Sequence, residues 1–487
     1  MLPWKSIIKI QSPSPLPVYL QIANCIIKEI KSGVVKPNVK MPGTRILAEL
    51  IQVHRQTVVN AYSELDAQGW IVSLPSKGSF VNEHLPETSY GKNHLHKLMN
   101  IEETGYPLIA NPTIHIPSKS HREVTGFHDG PDVRLVPVEQ LSRAYKNVLG
   151  RRPLIHQLSY VDVEGKSLLR KVLSEELNTS RGMQTTADNI FITRGSQMAL
   201  YMIARVALAK NDVVLVGDTN YYYADRVFMN VGAKLLRVTI DEQGIDVEQI
   251  EKLCKRKKIR AVYVTSHHHY PTTVTLSAAR RMKLLALSEQ YGFIIIEDDY
   301  DYDFHYQSNP ILPLASADKK GMVVYIGTLS KSVAPAMRIG YVAAPKNFIT
   351  ELSKLRQIID IQGDPILEQA VAELFVQGEI RRHMKKSLKE YRLRRDFMCE
   401  LLNQKLSDCI EFKIPEGGLA VWARYDKKIK LPEVSAKLRK KGFVLSNGLI
   451  HDTEEKKLNS TRMGFGWMNT AEADKAVNAL YGVIKNC

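Results

Sequence analysis

The sequence predicts an α/β protein preceded by a small unit of three helices and a β-hairpin. Two observations carry this reading. Beyond about residue 123, apolar runs of strand length alternate with helical segments, the pattern of a largely buried sheet. Before residue 82, apolar residues recur at helical spacing in three stretches and are followed by two short strand-like runs. A third observation separates the two regions. Residues 83–122 are rich in Pro, His, Asn, Lys and Glu with little periodicity, and read as a linker. The expected organisation is therefore a small domain at 14–82, a linker at 83–122 and a large domain at 123–487. The last divides into a larger part at about 155–375 and a smaller C-terminal part at about 376–487.

In the first region, Tyr19, Ile22, Ala23, Ile26, Ile27 and Ile30 make one buried helical stripe, ended by Ser32 and Gly33. After the turn Met41-Pro42-Gly43, Thr44 can cap a short helix through Leu50 that packs Ile46, Leu47 and Leu50 inward. A third helix is predicted over about 55–68, with Val58, Ala61, Tyr62 and Leu65 on its apolar face and Gly69 as its stop. Ile71-Val72-Ser73 and Ser79-Phe80-Val81 read as strands around a wing tip at Leu74-Pro75-Ser76-Lys77-Gly78. Such a unit can present the start of its third helix to a DNA major groove. Arg55, Gln56 and Asn60 would then meet base edges or phosphates, and Lys77 the DNA backbone. A small helical domain used for protein contacts fits the same pattern, because pattern marks fold before function.

Charge does not decide between these. The formal net charge of +16 favours polyanionic partners, but much of it lies at 252–260, 381–395 and 427–430, outside the first region, where solvated helix faces explain it. No apolar run approaches the ~20 residues a membrane-spanning helix needs, and the start lacks the basic-then-apolar pattern of a secretion signal. Cys25, Cys254, Cys399, Cys409 and Cys487 are scattered, with no CxxC pair, so neither a disulfide framework nor a cysteine-based metal site is expected. A reducing cytoplasm fits.

Within the large region, strands are expected at 189–193, 213–216, 234–238, 261–264, 293–296 and 322–326. Loops at the carboxyl ends of such strands are where an open sheet carries chemistry. Three stand out. Thr193-Arg194-Gly195-Ser196-Gln197 can bring Ser196, Gln197 and free backbone N–H groups to a phosphate, although Gly-Ser at a helix start is usually only a turn. Ile296-Glu297-Asp298-Asp299-Tyr300 could be a charged turn or a metal site. It could also be the carboxylate and hydroxyl that a pyridoxal-type cofactor needs against its ring nitrogen and ring oxygen, roles for Asp298 and Tyr300. His267-His268-His269 looks like a loop lining the site, with no recognisable metal-ligand set nearby. Gly327-Thr328-Leu329-Ser330-Lys331, followed by Arg338, offers a Schiff-base lysine with Ser330 and Arg338 toward a phosphate, against the alternative of a surface lysine after a turn.

The run Pro17-Val18-Tyr19-Leu20-Gln21-Ile22, with Met41 to Ala48, Arg55 to Tyr62 and Lys77-Gly78-Ser79-Phe80-Val81, resembles the GntR-type winged helix-turn-helix. That resemblance puts Arg45, Arg55, Gln56, Thr57 and Gly78 at or near DNA, with His54 where a serine cap is common and Gly43-Thr44 in place of paired serines. The three loops, with Gly130-Pro131-Asp132, Tyr160 and Gly165, resemble fold-type-I enzymes dependent on pyridoxal 5'-phosphate (PLP). They come closer still to MocR-type regulators, in which an aminotransferase-like domain follows a GntR-type winged helix. The resemblance covers almost the whole chain. It implies that PLP forms an internal aldimine with Lys331, stacks on Tyr221, and is held by Asp298, Tyr300, Ser196, Gln197, Ser330 and Arg338. Tyr270 stands where plain aminotransferases carry a ring-contacting asparagine, and Arg462 where an arginine grips an amino acid's α-carboxylate. There are departures. No Glu-Pro precedes Tyr221, His269 and Thr273 replace a glutamine and a glycine, and Ala420 stands where many members have histidine.

The expectation is a PLP-dependent transcription regulator that senses PLP or an amino compound. It would bind double-stranded DNA with repeated half-sites as a homodimer, with no membrane partner and no metal. The alternatives are an aminotransferase with accessory DNA binding and a PLP-free scaffold.

Overall fold

The computed structural model describes residues 2–86, 104–108, 125–152, 158–160, 162–306, 311–453 and 456–486. Most of the predicted linker at 83–122 lies outside the described residues, as do 123–124 at the predicted start of the large domain. The chain divides into two compact units, Met1–Ile109 and Ala110–Cys487.

The first unit contains α1 (Trp4–Ile7), α2 (Val18–Lys31), α3 (Thr44–Leu50), α4 (Arg55–Ala67) and the antiparallel hairpin β1 (Ile71–Leu74) with β2 (Gly78–Val81). α2 buries Ile22, Ala23, Ile26, Ile27 and Ile30 against Val58, Ala61, Tyr62 and Leu65 of α4. Trp4 of α1, which no periodicity in the sequence announces, joins the same core. α3 departs from expectation: Leu47 and Ala48 are its buried residues, while Ile46 is 60% exposed and Leu50 40% exposed. Ile46 points about 100° round the helix from Leu47 and Leu50 ends the last turn, so neither reaches the core. Thr44 does not cap α3 either. Gly43 holds the cap position without a side-chain bond, and Thr44 is the first helical residue.

The second unit is built on a seven-stranded sheet of order β3-β11-β10-β9-β8-β4-β5. Its strands are β3 (Ile190–Thr193), β4 (Val213–Gly217), β5 (Lys234–Val238), β8 (Ala261–Val264), β9 (Ile294–Asp299), β10 (Val323–Thr328) and β11 (Gly340–Ala343). A small hairpin, β6 (Ile240–Asp241) and β7 (Gly244–Ile245), lies outside it. β11 runs antiparallel to both neighbours and the remaining pairs are parallel. The parallel strands are apolar on both faces because helices cover both. Phe191, Val214, Tyr263 and Ile296 face one buried cluster, and Leu215, Val262 and Ile295 face another.

C-terminal to this sheet, β12 (Ile410–Phe412), β13 (Ala420–Tyr425) and β14 (Ser460–Gly464) form an antiparallel three-stranded sheet. It shares a core with the helices Glu379–Leu406 and Thr470–Ile484. Phe127 joins that core, so the segment at 125–130 belongs structurally with residues far along the chain. Among the described residues, no helix is long and apolar enough to cross a membrane.

Candidate functional site

At the carboxyl end of the seven-stranded sheet, loops from separate strands enclose a cavity of about 470 Å³. Ser196, Gln197, Tyr221, Tyr270, Asp298, Tyr300, Ser330, Lys331 and Arg338 all line it. Sequence separations of more than one hundred residues are thus closed by strand adjacency.

β3 ends at Thr193, and Gly195 then takes φ 80 before the helix Ser196–Ala207 begins without a side-chain cap. The first-turn N–H groups of that helix are therefore available to an anion. A Cβ on Gly195 would stand 2.5 Å from the Arg338 guanidinium, so the glycine is what lets this arginine close over the loop. Arg338 donates to the Arg194 carbonyl at 3.1 Å and adopts a left-handed backbone, φ 52. Ser330 contributes a buried hydroxyl without a protein partner. On the opposite wall, β8 and β9 pair so that Tyr263 lies beside Ile296, and the Tyr263 hydroxyl donates to Asp298 Oδ2 at 2.8 Å. Asp298 Oδ1 is buried and unpartnered. Burial pushes the Asp298 carboxyl up to about 7, with Asp299 and Asp301 adding to the rise and the Tyr263 bond opposing it.

Tyr221 and Tyr270 meet edge to face at 5.1 Å, and the Tyr221 hydroxyl lies 3.4 Å from Gln197 Oε1. Burial raises the Tyr270 phenol to about 12. Tyr300 donates to the His268 carbonyl at 2.9 Å. The three histidines do not line this cavity as the sequence suggested. They are buried behind it, His268 on Asp301 at 2.9 Å and His269 on Thr272 at 2.8 Å, leaving Thr265 and Tyr270 as the residues of that loop that reach the cavity. Thr273, where the resemblance has glycine, adopts φ 62, a conformation that is strained for a β-branched residue. Among the described residues, no group of three or more His, Cys, Asp or Glu is arranged to hold a metal ion.

Arg462, on β14, stands behind Tyr270 with its guanidinium 5.0 Å from the ring centre. Its Nε donates to Asp129 Oδ2 at 2.7 Å, and Lys331 Nζ donates to the Asp129 carbonyl at 2.5 Å. Burial alone would raise the Asp129 carboxyl, but Arg462 and Lys331 outweigh it and hold it below the usual carboxylate range. Sequence reading stopped one residue short of Asp129, at Gly130. It also missed Tyr263, whose position one residue before the end of β8 was the available clue.

The other candidate surface belongs to the first unit. Arg45, Arg55, Gln56, Asn60, Lys77 and Gly78 are exposed and Thr57 is half-buried. Arg55 Nε lies 3.4 Å from Thr44 Oγ1, and Gln56 donates to Asn60 at 3.0 Å, so side chains on the first turns of α4 are already oriented. His54, in place of a serine, still caps α4: its Nδ1 accepts from the Gln56 N–H at 3.2 Å. Ser76 with φ 61 and Gly78 with φ 102 turn the wing tip around Lys77.

Residues 156–480 match the family described as aminotransferase class I and II. The chain belongs to that family. Residues 18–81 match the bacterial regulatory proteins of the gntR family, so this aminotransferase-family chain has the architecture of MocR-type regulators, a GntR-family helix-turn-helix fused to a fold-type-I domain. It is 29% identical over 479 residues to the uncharacterized HTH-type transcriptional regulator YdfD of Bacillus subtilis, spanning 96% of this chain and 97% of that one. It is 24% identical to the probable rhizopine catabolism regulatory protein MocR of Rhizobium meliloti, covering 85% and 83% of the two chains. Among solved structures, the multiple substrate aminotransferase from Thermococcus profundus superposes with a TM-score of 0.70 at 27% identity, covering 75% of this chain and 92% of that one.

Fold-type-I aminotransferase domains are a PLP-binding class. The cavity of this family member fits that cofactor on its own chemistry. It has an orphaned carboxylate oxygen at Asp298, an orphaned hydroxyl at Ser330, uncapped N–H groups beside Arg338, and a primary amine at Lys331.

Proposed function

We propose that the protein is a transcription regulator whose DNA binding responds to PLP, or to an amino compound, at the Lys331 cavity. The observation that carries this reading is that an amine, a buried carboxylate and an anion-binding helix start converge in one cavity, in a chain that also presents a DNA-type helix face. When bound, PLP supplies a carbonyl that reacts with primary amines and a ring that withdraws electrons. Lys331 is the residue for the covalent link. Asp298 would hold a proton at the ring nitrogen and Tyr300 would orient toward the ring oxygen. Ser196, Gln197, Ser330 and Arg338 would bind the phosphate, and Tyr221 with Tyr270 would clasp the ring and limit water. Arg462 stands at the effector end. Arg55, Gln56, Thr57 and Asn60 would meet the groove, Arg45 with Lys77 and Gly78 the DNA backbone.

Effector and DNA can influence each other only if the effector binds the two functional states with different affinity. The resemblance to fold-type-I enzymes supports a homodimer and hence paired half-sites. A cytoplasmic location accords with this role.

The test is binding to DNA upstream of the protein's own gene, with PLP-loaded and PLP-free protein across a salt series. Tight, competitor-resistant binding that changes with PLP is expected. DNA affinity indifferent to PLP and to every amino compound tested sinks the sensing role. Visible absorption unchanged in Lys331→Ala sinks the lysine assignment. A second reading, transamination, is favoured by the same intact Lys331 and Asp298 pair and predicts steady turnover of an amino donor with a keto acid.

A further inference from the structure

The segment at 125–130 is keyed into the C-terminal core. The Phe127 N–H donates to the Val444 carbonyl at 2.9 Å, the Val444 N–H donates to the Thr125 carbonyl at 3.1 Å, and the Gly464 N–H donates to the Phe127 carbonyl at 3.3 Å. A Cβ on Gly464 would stand 1.7 Å from the His128 carbonyl oxygen, so the strap lies against β14 only because residue 464 has no side chain. This seating sets the next residue. Asp129 lands with Oδ2 on Arg462 at 2.7 Å, and with Oδ1 buried, unpartnered and 4.0 Å from Lys331 Nζ.

We propose that Asp129 is a specificity-determining residue: it occupies Arg462 and turns the cavity toward primary amines that lack a carboxylate. This rests on the reading of the cavity as a PLP site with Lys331 as its amine. The argument is electrostatic. An arginine that binds an amino acid does so by offering its guanidinium to the ligand's carboxylate. Here the chain supplies that carboxylate itself. An incoming one meets a guanidinium already paired and a like charge within the same partly dry space, where the repulsion is stronger than in water. Displacing Asp129 would leave its carboxylate unpaired in a partly buried setting, which is costly. An amine meets the reverse situation, because the unpartnered Asp129 Oδ1 accepts from an ammonium approaching Lys331. Of the cations that line the cavity, Lys331 is the reacting amine and Arg338 stands at the Gly195 loop. A matched pair of ligands that differ by one carboxylate is therefore separated by a single residue.

The probes are 2-phenylethylamine and L-phenylalanine, followed by the visible absorption of the PLP-loaded full chain. The parent should respond to the amine at a concentration at least tenfold below that needed for the amino acid. Asp129→Asn, which keeps the shape and removes the charge, should shift that ratio at least tenfold toward the amino acid, and Asp129→Ala should shift it further. Calorimetric titration of the PLP-free chain with 3-phenylpropionate gives a reading independent of the cofactor. Both variants should bind it at least tenfold more tightly than the parent, and Asp129→Ala with Arg462→Met should lose the gain. A parent that prefers L-phenylalanine, or variants with unchanged carboxylate affinity, would overturn the proposal. Absence of cofactor absorption on reconstitution would instead fell the PLP reading, leaving the calorimetry to decide the role of Asp129.

Discussion

The two candidate functional regions of this chain hold their side chains in opposite ways. On the first unit, Arg45, Arg55, Gln56, Asn60 and Lys77 stand in solvent on a helix face and a wing, with bonds only to near neighbours such as Thr44 and Asn60. In the second unit, burial pushes the Asp298 carboxyl up while Asp129 and Arg462 hold each other charged, each of the three tied to a residue from another strand or loop. A surface that reads a polymer needs donors free to reach it, and a cavity that traps a small ligand needs donors fixed before it arrives. Substitution should consequently act locally in the first unit and through distant partners in the second.

Gly464→Ala tests this contrast most severely. Its added carbon must push the 125–130 strap off β14, and overpacking of that kind costs about 3 kcal/mol. Amide exchange in β13 and β14 should accelerate strongly while exchange in α4 stays as in the parent. Acceleration in both would mean the two units do not respond separately. Arg55→Ala should lower affinity for specific DNA by ~1–3 kcal/mol and flatten its salt dependence. Cofactor absorption should be unaltered, as fluorescence anisotropy and a spectrum on the same sample would report.

Asp298→Asn sharpens the buried side of the comparison. In the PLP-free chain the Asp298 carboxyl is raised from 3.8 to about 7. Its neutral form is the one the fold prefers, so its contribution is full at low pH and declines as pH climbs toward 7. The variant should therefore melt at the parent's temperature near pH 4 and above it at pH 8, while binding PLP more weakly. Equal melting temperatures at pH 8 would remove the burial argument. The smallest effect is expected at His54. His54→Ala should destabilise the first unit by ~1 kcal/mol through loss of the α4 cap, and His54→Ser should restore it, a difference readable by amide exchange at Gln56.

Much of this was legible beforehand because it is local. The apolar stripes of α2 and α4 and the continuous apolar runs of β8, β9 and β10 carry their own period, and the loops after β3, β9 and β10 carry their own residues. β11 was not legible. Gly-Tyr-Val-Ala is short, follows directly on a loop residue, and is a strand only because β3 and β10 leave a slot between them. The same holds for β14, whose antiparallel pairing with β13 reaches across the helix Leu431–Lys440. Ile46 and Leu50 misled because a two-turn helix need not bury every apolar side chain it carries. The histidine run misled because three adjacent polar residues suggested an open site, while the Ile311 carbonyl, Asp301 and Thr272 bind them in the interior. Asp129 had no signature at all, since its importance comes from Gly464 and Arg462, more than three hundred residues away.

One feature of the cavity bears on how such proteins can be altered. Arg338 holds a left-handed backbone that an L-residue with a bulky side chain adopts at a cost of about 1–2 kcal/mol. A library selected only for heat resistance would therefore be drawn toward glycine or asparagine at this position. It would return hardier proteins that had lost the cation facing the Gly195 loop, so a selection that also demands ligand response is needed to keep the arginine.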